Sequence, residues 1–133
     1  MSTLTELQVG ESVTEIHLAP VSRMDLIKYS GASGDFNPIH TIDDEAKKAG
    51  LPAIIAHGMW TMGNLAKLFT GYYEEGFVQD YSIRFKGMVF LNDVITLKAT
   101  LKEKQDRNLR FTVQAVNQQG KDVLIGDVVY HQY

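Results

Sequence analysis

The chain has 133 residues, the length of one domain, and its 44% of hydrophobic residues can supply a core. A net charge of −3 with no basic stripe argues against a nucleic-acid-binding protein, and the absence of cysteine excludes a disulfide scaffold, thiolate metal sites and cysteine nucleophiles. No apolar run is long enough to span a membrane, and residues 1–10 lack the pattern of a signal peptide. We therefore expect a soluble, cytoplasmic protein.

One strand and two short helices are predicted in the first fifty residues, the strand at 12–18 and the helices at 22–30 and 43–49. Ser22 can cap the first helix with Asp25 in its first turn, and Gly31 can end it. Asp43 can cap the second helix, which a glycine and a proline stop at residues 50–52. Residues 31–41 between the two helices follow no regular pattern and form an irregular stretch.

A third helix is predicted over residues 59–70, ended by Gly71. Thr61, Asn64 and Lys67 leave only a narrow polar stripe along it. Apolar residues cover the rest of its circumference: Met59, Trp60, Met62, Leu65, Ala66, Leu68 and Phe69. A helix that is apolar nearly all round is expected to be buried, so the remainder of the chain should enclose it.

Four strands are predicted after this helix, because apolar and polar residues alternate there with a period of two. They cover residues 81–86, 95–101, 109–115 and 123–130. The breaks at 91–93, 105–108 and 118–121 suit hairpin turns, and such short connections imply an antiparallel meander. The sequence thus predicts one α+β domain over residues 1–133, with a curved antiparallel sheet wrapped around the central buried helix.

The irregular stretch contains the first candidates for chemistry, Asp35 and His40, within Ser-Gly-Asp-Phe-Asn-Pro-Ile-His at 33–40. Pro38 fixes its own φ and biases Asn37 towards extended conformations, while the Asn37 amide can hold a turn. A carboxylate and an imidazole held in this way can together activate one water. Taken alone, the spacing favours a structural interpretation, in which Asp35 caps a turn and His40 is a half-buried packing residue.

A second candidate segment, Ala-His-Gly-Met at 56–59, leads into the central helix. The first amides of a helix lack internal partners and lie at the positive end of its dipole. Because Gly58 has no side chain, a ligand can approach its N–H closely, and this amide can stabilise charge on a carbonyl oxygen. The structural alternatives are that Gly58 permits tight packing and that His57 caps or packs the helix. The four histidines show no close ligand spacing, so no metal site is predicted.

Together, residues 33–40 and 56–59 resemble the hydratase motif of MaoC-like proteins and (R)-specific enoyl-CoA hydratases. The chain also resembles the catalytic subunit of the mycobacterial-type 3-hydroxyacyl-carrier-protein dehydratases. The resemblance covers nearly the whole chain, because the downstream strand pattern also fits. It implies a single hotdog domain over residues 1–133.

The resemblance implies that Asp35 and His40 are catalytic and act on the water, that the Gly58 amide holds the thioester oxygen, and that Asn37 shapes the loop. The implied reaction is the reversible addition of water to a trans-2-enoyl thioester, giving the (R)-3-hydroxyacyl thioester in fatty-acid metabolism. No metal or redox cofactor is expected. CoA or phosphopantetheine would enter as part of the substrate.

The expected partners are an acyl-CoA or acyl-carrier-protein substrate and a second hotdog subunit. The resemblance implies a dimer, for which a homodimer is the simpler case and a heterodimer stays open; exposed sheet edges give a physical reason to pair. Besides Asn37, the residues His57, Trp60 and Met62 are predicted to bind substrate, the last two as walls of an acyl channel. Ordinary core packing is the alternative for Trp60 and Met62.

Three other functions compete with hydration. A hotdog thioesterase would cleave the C–S bond with a carboxylate on or near the central helix, and residues 59–70 contain no Asp or Glu. A non-catalytic hotdog subunit would be expected to lack Asp35 or His40, and both are present. A simple acyl-binding module would keep an apolar tunnel without needing that pair.

Overall fold

Five strands and four helices build the fold of residues 3–133, which the computed structural model describes. The strands are β1 (Ile16–His17), β2 (Gly76–Phe85), β3 (Thr96–Gln105), β4 (Asn108–Val116) and β5 (Asp122–Gln132). The helices are α1 (Arg23–Ser33), α2 (Asp43–Lys48), α3 (Gly58–Leu65) and α4 (Lys67–Thr70), with short 3-10 turns at Leu4–Glu6 and Pro38–His40. The predicted α+β architecture is confirmed.

All strand pairs in the sheet are antiparallel, in the order β1-β3-β4-β5-β2. The predicted meander holds for β3, β4 and β5, which are joined by tight turns near Asp106 and Gly120 with positive φ. It is wrong for β2, which pairs with β5 and not with β3. The connection after β2 is not a hairpin: it runs back past the helix, where Phe90 bridges to Ile55.

The inward faces of β3 and β4 form the core, as the alternating pattern predicts. Their buried residues are Leu97, Ala99, Leu101, Leu109, Phe111, Val113 and Ala115. Leu65, Leu68 and Phe69 of the central helix pack into the same cluster. The ring of Phe69 meets Phe111 edge-on at 5.1 Å between centroids, an arrangement that aromatic pairs prefer.

The central helix is interrupted at Ala66, so the single predicted helix is two, α3 and α4. In an unbroken helix the Met62 carbonyl would accept from the amide of residue 66. Here the Tyr81 hydroxyl donates to that carbonyl at 2.5 Å, and the Ala66 amide bonds to Asn64 instead. The helix is also less enclosed than predicted, because Met59 at its start is 56% exposed.

The first helices differ from the sequence prediction at their ends. Ser22 and Asp25 form the predicted capping box, but α1 runs past Gly31 and ends at Gly34, whose φ of 78° suits a glycine. Asp43 does not cap α2: the cap position belongs to Ile42, and the Asp43 carboxylate binds the Arg23 guanidinium at 3.0 Å. This ion pair ties α2 to α1 on either side of the irregular stretch.

The strand predicted at 12–18 is regular only at Ile16–His17, with a single further bridge between Ser12 and Thr100. Among residues 3–133, no helix combines the length and the apolarity that crossing a lipid bilayer requires.

Candidate active site

The stretch that follows α1 is held by a chain of local hydrogen bonds. The Asp35 amide donates to Ser33 Oγ at 3.1 Å, and the Asn37 amide donates to Asp35 Oδ1 at 3.1 Å. Asn37 Oδ1 in turn accepts from the Ile39 amide at 3.3 Å and caps the 3-10 turn that carries His40. Asx-type bonds of this kind fix a loop without regular secondary structure, so Asp35 and His40 have a defined separation.

His40 is buried (8% exposed) and presents one nitrogen to the site. Its Nδ1 lies 2.7 Å from the Ile55 carbonyl oxygen, and because a carbonyl only accepts, Nδ1 carries the proton. The neutral ring therefore has its lone pair on Nε2, which lies 4.0 Å from Asp35 Oδ2. This distance is too long for a direct hydrogen bond and suits one bridging oxygen.

The Asp35 side chain is 53% exposed, whereas His40 is largely enclosed. The carboxylate thus reaches the protein surface while the imidazole lines the interior. The pair offers two groups that can each take up and release a proton, 4.0 Å apart, which is the arrangement that general acid–base chemistry requires.

His57 lies directly beneath this pair and is 3% exposed. Its ring stacks on that of His40, with centroids 3.7 Å apart and planes 22° apart, and its Nε2 lies 3.1 Å from the Asp35 carbonyl oxygen. Burial lowers the pKa of His57 from its ordinary value near 6.5, and the neighbouring His40 lowers it further. Hydrogen bonding to the Asp35 carbonyl and the Asp35 charge oppose the shift without cancelling it, so His57 is neutral at pH 7.

A cavity of about 250 Å³ connects His40 to Gly58, the first residue of α3. Its other lining residues are mostly apolar: Ile55, Ala56, Thr61, Phe85, Gly87, Met88, Val89 and Leu124. The Gly58 amide has no partner inside the helix and lies at the positive end of the α3 dipole. The cavity thus places a hydrogen-bond donor, an imidazole and an apolar surface around one volume.

Gly58 packs closely against the aromatic ring of Phe85 in β2. A Cβ at this position would lie 2.8 Å from Phe85 Cε1, closer than side-chain carbons pack. Any larger residue at position 58 would therefore have to displace the Phe85 ring. This contact supports both readings made from the sequence, because Gly58 allows tight packing and also leaves its amide unshielded by a side chain of its own.

The structure brings together Asp35, His40, His57 and Gly58, and Asn37 shapes the loop between them. Trp60 and Met62 do not line the cavity: Trp60 borders a separate shallow groove with Tyr29, and the Met62 carbonyl bonds to Tyr81. Their contact with substrate, like that of His57, stays a prediction. Two residues that line the cavity, Thr61 and Phe85, were not predicted from the sequence to belong to the site. Thr61 lies in the polar stripe of the central helix but is buried, and Phe85 belongs to the alternating pattern of β2.

Asp35, His40 and His57 are also the one group in residues 3–133 whose ligand atoms cluster as a metal site would require, within 4.8 Å of one another. The two imidazole rings are stacked nearly parallel, and coordinating lone pairs lie in the ring plane. The lone pairs therefore run side by side and do not converge on one ion. A tetrahedral metal would need one ring to rotate and to break its bond to the Asp35 carbonyl.

Comparison with known proteins links this geometry to one family. Residues 5–122 match the family model described as "MaoC like domain". The fold superimposes on an R-hydratase from Pseudomonas aeruginosa with a TM-score of 0.89 and 25% identity, covering 96% of this chain and 83% of that one.

Two curated relatives extend the comparison. A 3-hydroxybutyryl-CoA dehydratase of Methylorubrum extorquens is 28% identical over 122 residues, 90% of this chain and 76% of the relative. A fatty acid synthase beta subunit of Cochliobolus carbonum is 31% identical over 103 residues, 74% of this chain. The chain spans only 5% of the length of that subunit, so the similarity concerns one domain of a much larger protein.

Proposed function

The chain belongs to the family of MaoC-like domains, and from this premise we propose that it catalyses the reversible addition of water to a trans-2-enoyl thioester. The product is the (R)-3-hydroxyacyl thioester, and the reverse reaction is dehydration. The observation that carries the proposal is the opposition of His40 Nε2 and Asp35 Oδ2 at 4.0 Å, beside a cavity that also contains Gly58. The hydratase and dehydratase activities named for the relatives support the same chemistry.

In the proposed reaction the water lies between Asp35 and His40. Its oxygen forms a bond to C3 of the enoyl group as one member of the pair takes its proton, and the C2–C3 π electrons move onto the thioester carbonyl oxygen. The Gly58 amide and the α3 dipole stabilise the enolate-like charge there. The pair then delivers the proton that it took from the water to C2, which restores the carbonyl, completes the hydration and returns both side chains to their starting state.

Asp35 and His40 face the same water, so the roles of base and acid are assigned to the pair and not to either residue. Locking of His40 Nδ1 to the Ile55 carbonyl keeps Nε2 as the nitrogen that exchanges protons. The reaction moves protons and no net electrons, so the proposal requires neither a metal nor a redox cofactor. CoA or phosphopantetheine takes part as the thiol portion of the substrate.

We also propose that two copies pair along β2. This strand ends the sheet, so its outer edge is unpaired within residues 3–133, and it exposes Phe77 and Phe85. Phe85 also lines the cavity, so a second subunit at this edge would cover the mouth of the site. Light scattering tests this: a homodimer has twice the mass of the 14.9 kDa chain, whereas a monomeric mass would favour a heterodimer with another hotdog chain.

The reaction class is tested with crotonyl-CoA by following three signals in one sample. Hydration removes the absorbance of the conjugated enoyl thioester, releases no free thiol, and gives a product oxidised by an (R)-specific 3-hydroxyacyl dehydrogenase. Release of thiol would indicate a thioesterase instead. Binding without either change, together with inactivity towards longer enoyl-CoA and enoyl-carrier-protein substrates, would indicate an acyl-binding or non-catalytic subunit.

A further inference from the structure

We propose that His57 is a positioning residue, which holds the Asp35 main chain and the His40 ring in one arrangement without contacting the substrate. This role rests on the proposed function and concerns how the geometry of the same site is maintained. It gives His57 a structural role in place of the predicted contact with substrate.

His57 is the structural link between the two members of the pair. The face of its ring lies on His40 at 3.7 Å, and its Nε2 reaches the Asp35 carbonyl oxygen at 3.1 Å. From α1, Ser30 Oγ lies 3.2 Å from the same nitrogen, and Tyr29 meets the ring edge-on at 4.8 Å. The ring is therefore enclosed by α1 on one side and, on the other, by the irregular stretch that carries Asp35 and His40.

The hydrogen bond to Asp35 acts on the main chain and leaves the carboxylate free. A carbonyl oxygen accepts only, so His57 Nε2 carries the proton, and this bond fixes the residue whose side chain faces His40. The His40 end of the loop is tied to the Ile55 carbonyl, whereas the amide and the carboxylate of Asp35 make only short local hydrogen bonds, to Ser33 and Asn37. Loss of the Nε2–H donor would release Asp35 from the core and widen the 4.0 Å gap.

The second nitrogen, Nδ1, is buried and has no hydrogen-bond partner among residues 3–133. A lone pair tolerates this position better than an N–H would, since an unpartnered buried donor and its positive charge are both costly. The titratable groups that face the ring are Tyr29, Asp35 and His40, and the last two exchange a proton with the water in the proposed reaction. Because the His57 ring is uncharged, it does not repel a positive charge that forms on the His40 ring during the reaction.

Two substitutions separate the two contacts. His57→Gln keeps an N–H at the position of Nε2 and removes the ring, whereas His57→Phe keeps a ring against His40 and removes the donor. We expect kcat to fall about 100-fold in His57→Phe, the scale of a misplacement near 1 Å, and to recover in part in His57→Gln. KM for crotonyl-CoA and the Kd of the saturated analogue butyryl-CoA should stay within about twofold of wild type.

Tyr29→Phe serves as the control, because it keeps the edge-on ring contact with His57 and touches neither Asp35 nor His40 in the structure. Thermal unfolding of each variant shows whether it is folded before kinetics are compared. Wild-type kcat in folded His57→Phe would overturn the proposal. A weakened Kd for butyryl-CoA with unchanged kcat would also overturn it, in favour of substrate binding by His57.

A measurement that does not need activity separates this proposal from the proposed function. In ¹⁵N-histidine NMR of the wild-type protein, His57 should show the neutral Nε2–H tautomer at pH 8, and the midpoint of its titration should lie below the ordinary value for histidine. Titration of His57 at its ordinary value, or the Nδ1–H tautomer, would contradict the positioning role even if hydration is observed. The expected tautomer in a protein that hydrates no enoyl thioester would support the placement of His57 and reject the reaction.

Discussion

Replacement of Gly58 by alanine tests the part of the cavity wall where Gly58 packs against Phe85. The new Cβ would lie 2.8 Å from Phe85 Cε1 and 3.1 Å from Cδ1. Phe85 is 53% exposed, so its ring can turn outwards and the protein should stay folded. The added methyl group then occupies space in the cavity beside the Gly58 amide. Loss of one oxyanion donor costs about 10²–10³-fold in kcat, and we expect a loss at the lower end of that range.

The assay is hydration of crotonyl-CoA, with thermal unfolding measured on the same preparation. Gly63→Ala is the matched control, since Gly63 lies in the same helix and a Cβ there meets nothing within 4 Å. Removal of a helix-interior glycine at that position should stabilise the protein by about 0.5–1 kcal/mol and leave kcat unchanged. Wild-type kcat in folded Gly58→Ala would refute the assignment of this amide.

Three further predictions follow from other contacts. Asn37→Ala removes the acceptor of the Ile39 amide and should cost about 1 kcal/mol, seen as a lower Tm together with a lower kcat, while Asn37→Ser should retain most of both. Burial raises the pKa of Tyr81 to about 12. The stabilisation that the neutral Tyr81 hydroxyl contributes is therefore complete below pH 10 and is lost as the pH rises towards 12. Tyr81→Phe should be less stable than wild type at pH 8, and the stability of this variant should fall less than that of wild type between pH 10 and 12. The cavity volume of about 250 Å³ lies below the roughly 300–1,000 Å³ usual for ligand pockets, so kcat/KM should be higher for crotonyl-CoA than for decenoyl-CoA. Leu124 lines the cavity, and Leu124→Ala should reduce the ratio of the two kcat/KM values.

The local features of the site were accessible from the sequence because they depend on short-range chemistry. The Ser22 capping box, the Asn37 turn and the glycine at the start of α3 each follow from residues within a few positions of one another. The resemblance of two short segments then joined Asp35 and His40 to Gly58. The α+β architecture, with a curved antiparallel sheet around a central helix, followed from the alternating strands and the apolar helix, and the resemblance implied the hotdog fold.

The remaining features depend on contacts between distant segments. Alternation shows which face of β2 is buried but not which strand it pairs with, so its place beside β5 was missed. At the interruption of the central helix, the Met62 carbonyl accepts a hydrogen bond from Tyr81, which lies in another element. The stacking of His57 on His40 likewise requires two segments to meet, and each of those histidines was recognised only separately.

The most direct test of the account is the hydration of crotonyl-CoA by Asp35→Asn and His40→Ala, compared with Asp44→Asn and His17→Ala as exposed controls of the same residue types. General acid–base groups contribute about 10²–10⁴-fold each, so both site variants should lose at least 100-fold in kcat while remaining folded, and both controls should match wild type. Hydration that survives in either folded site variant would contradict the assignment of the pair.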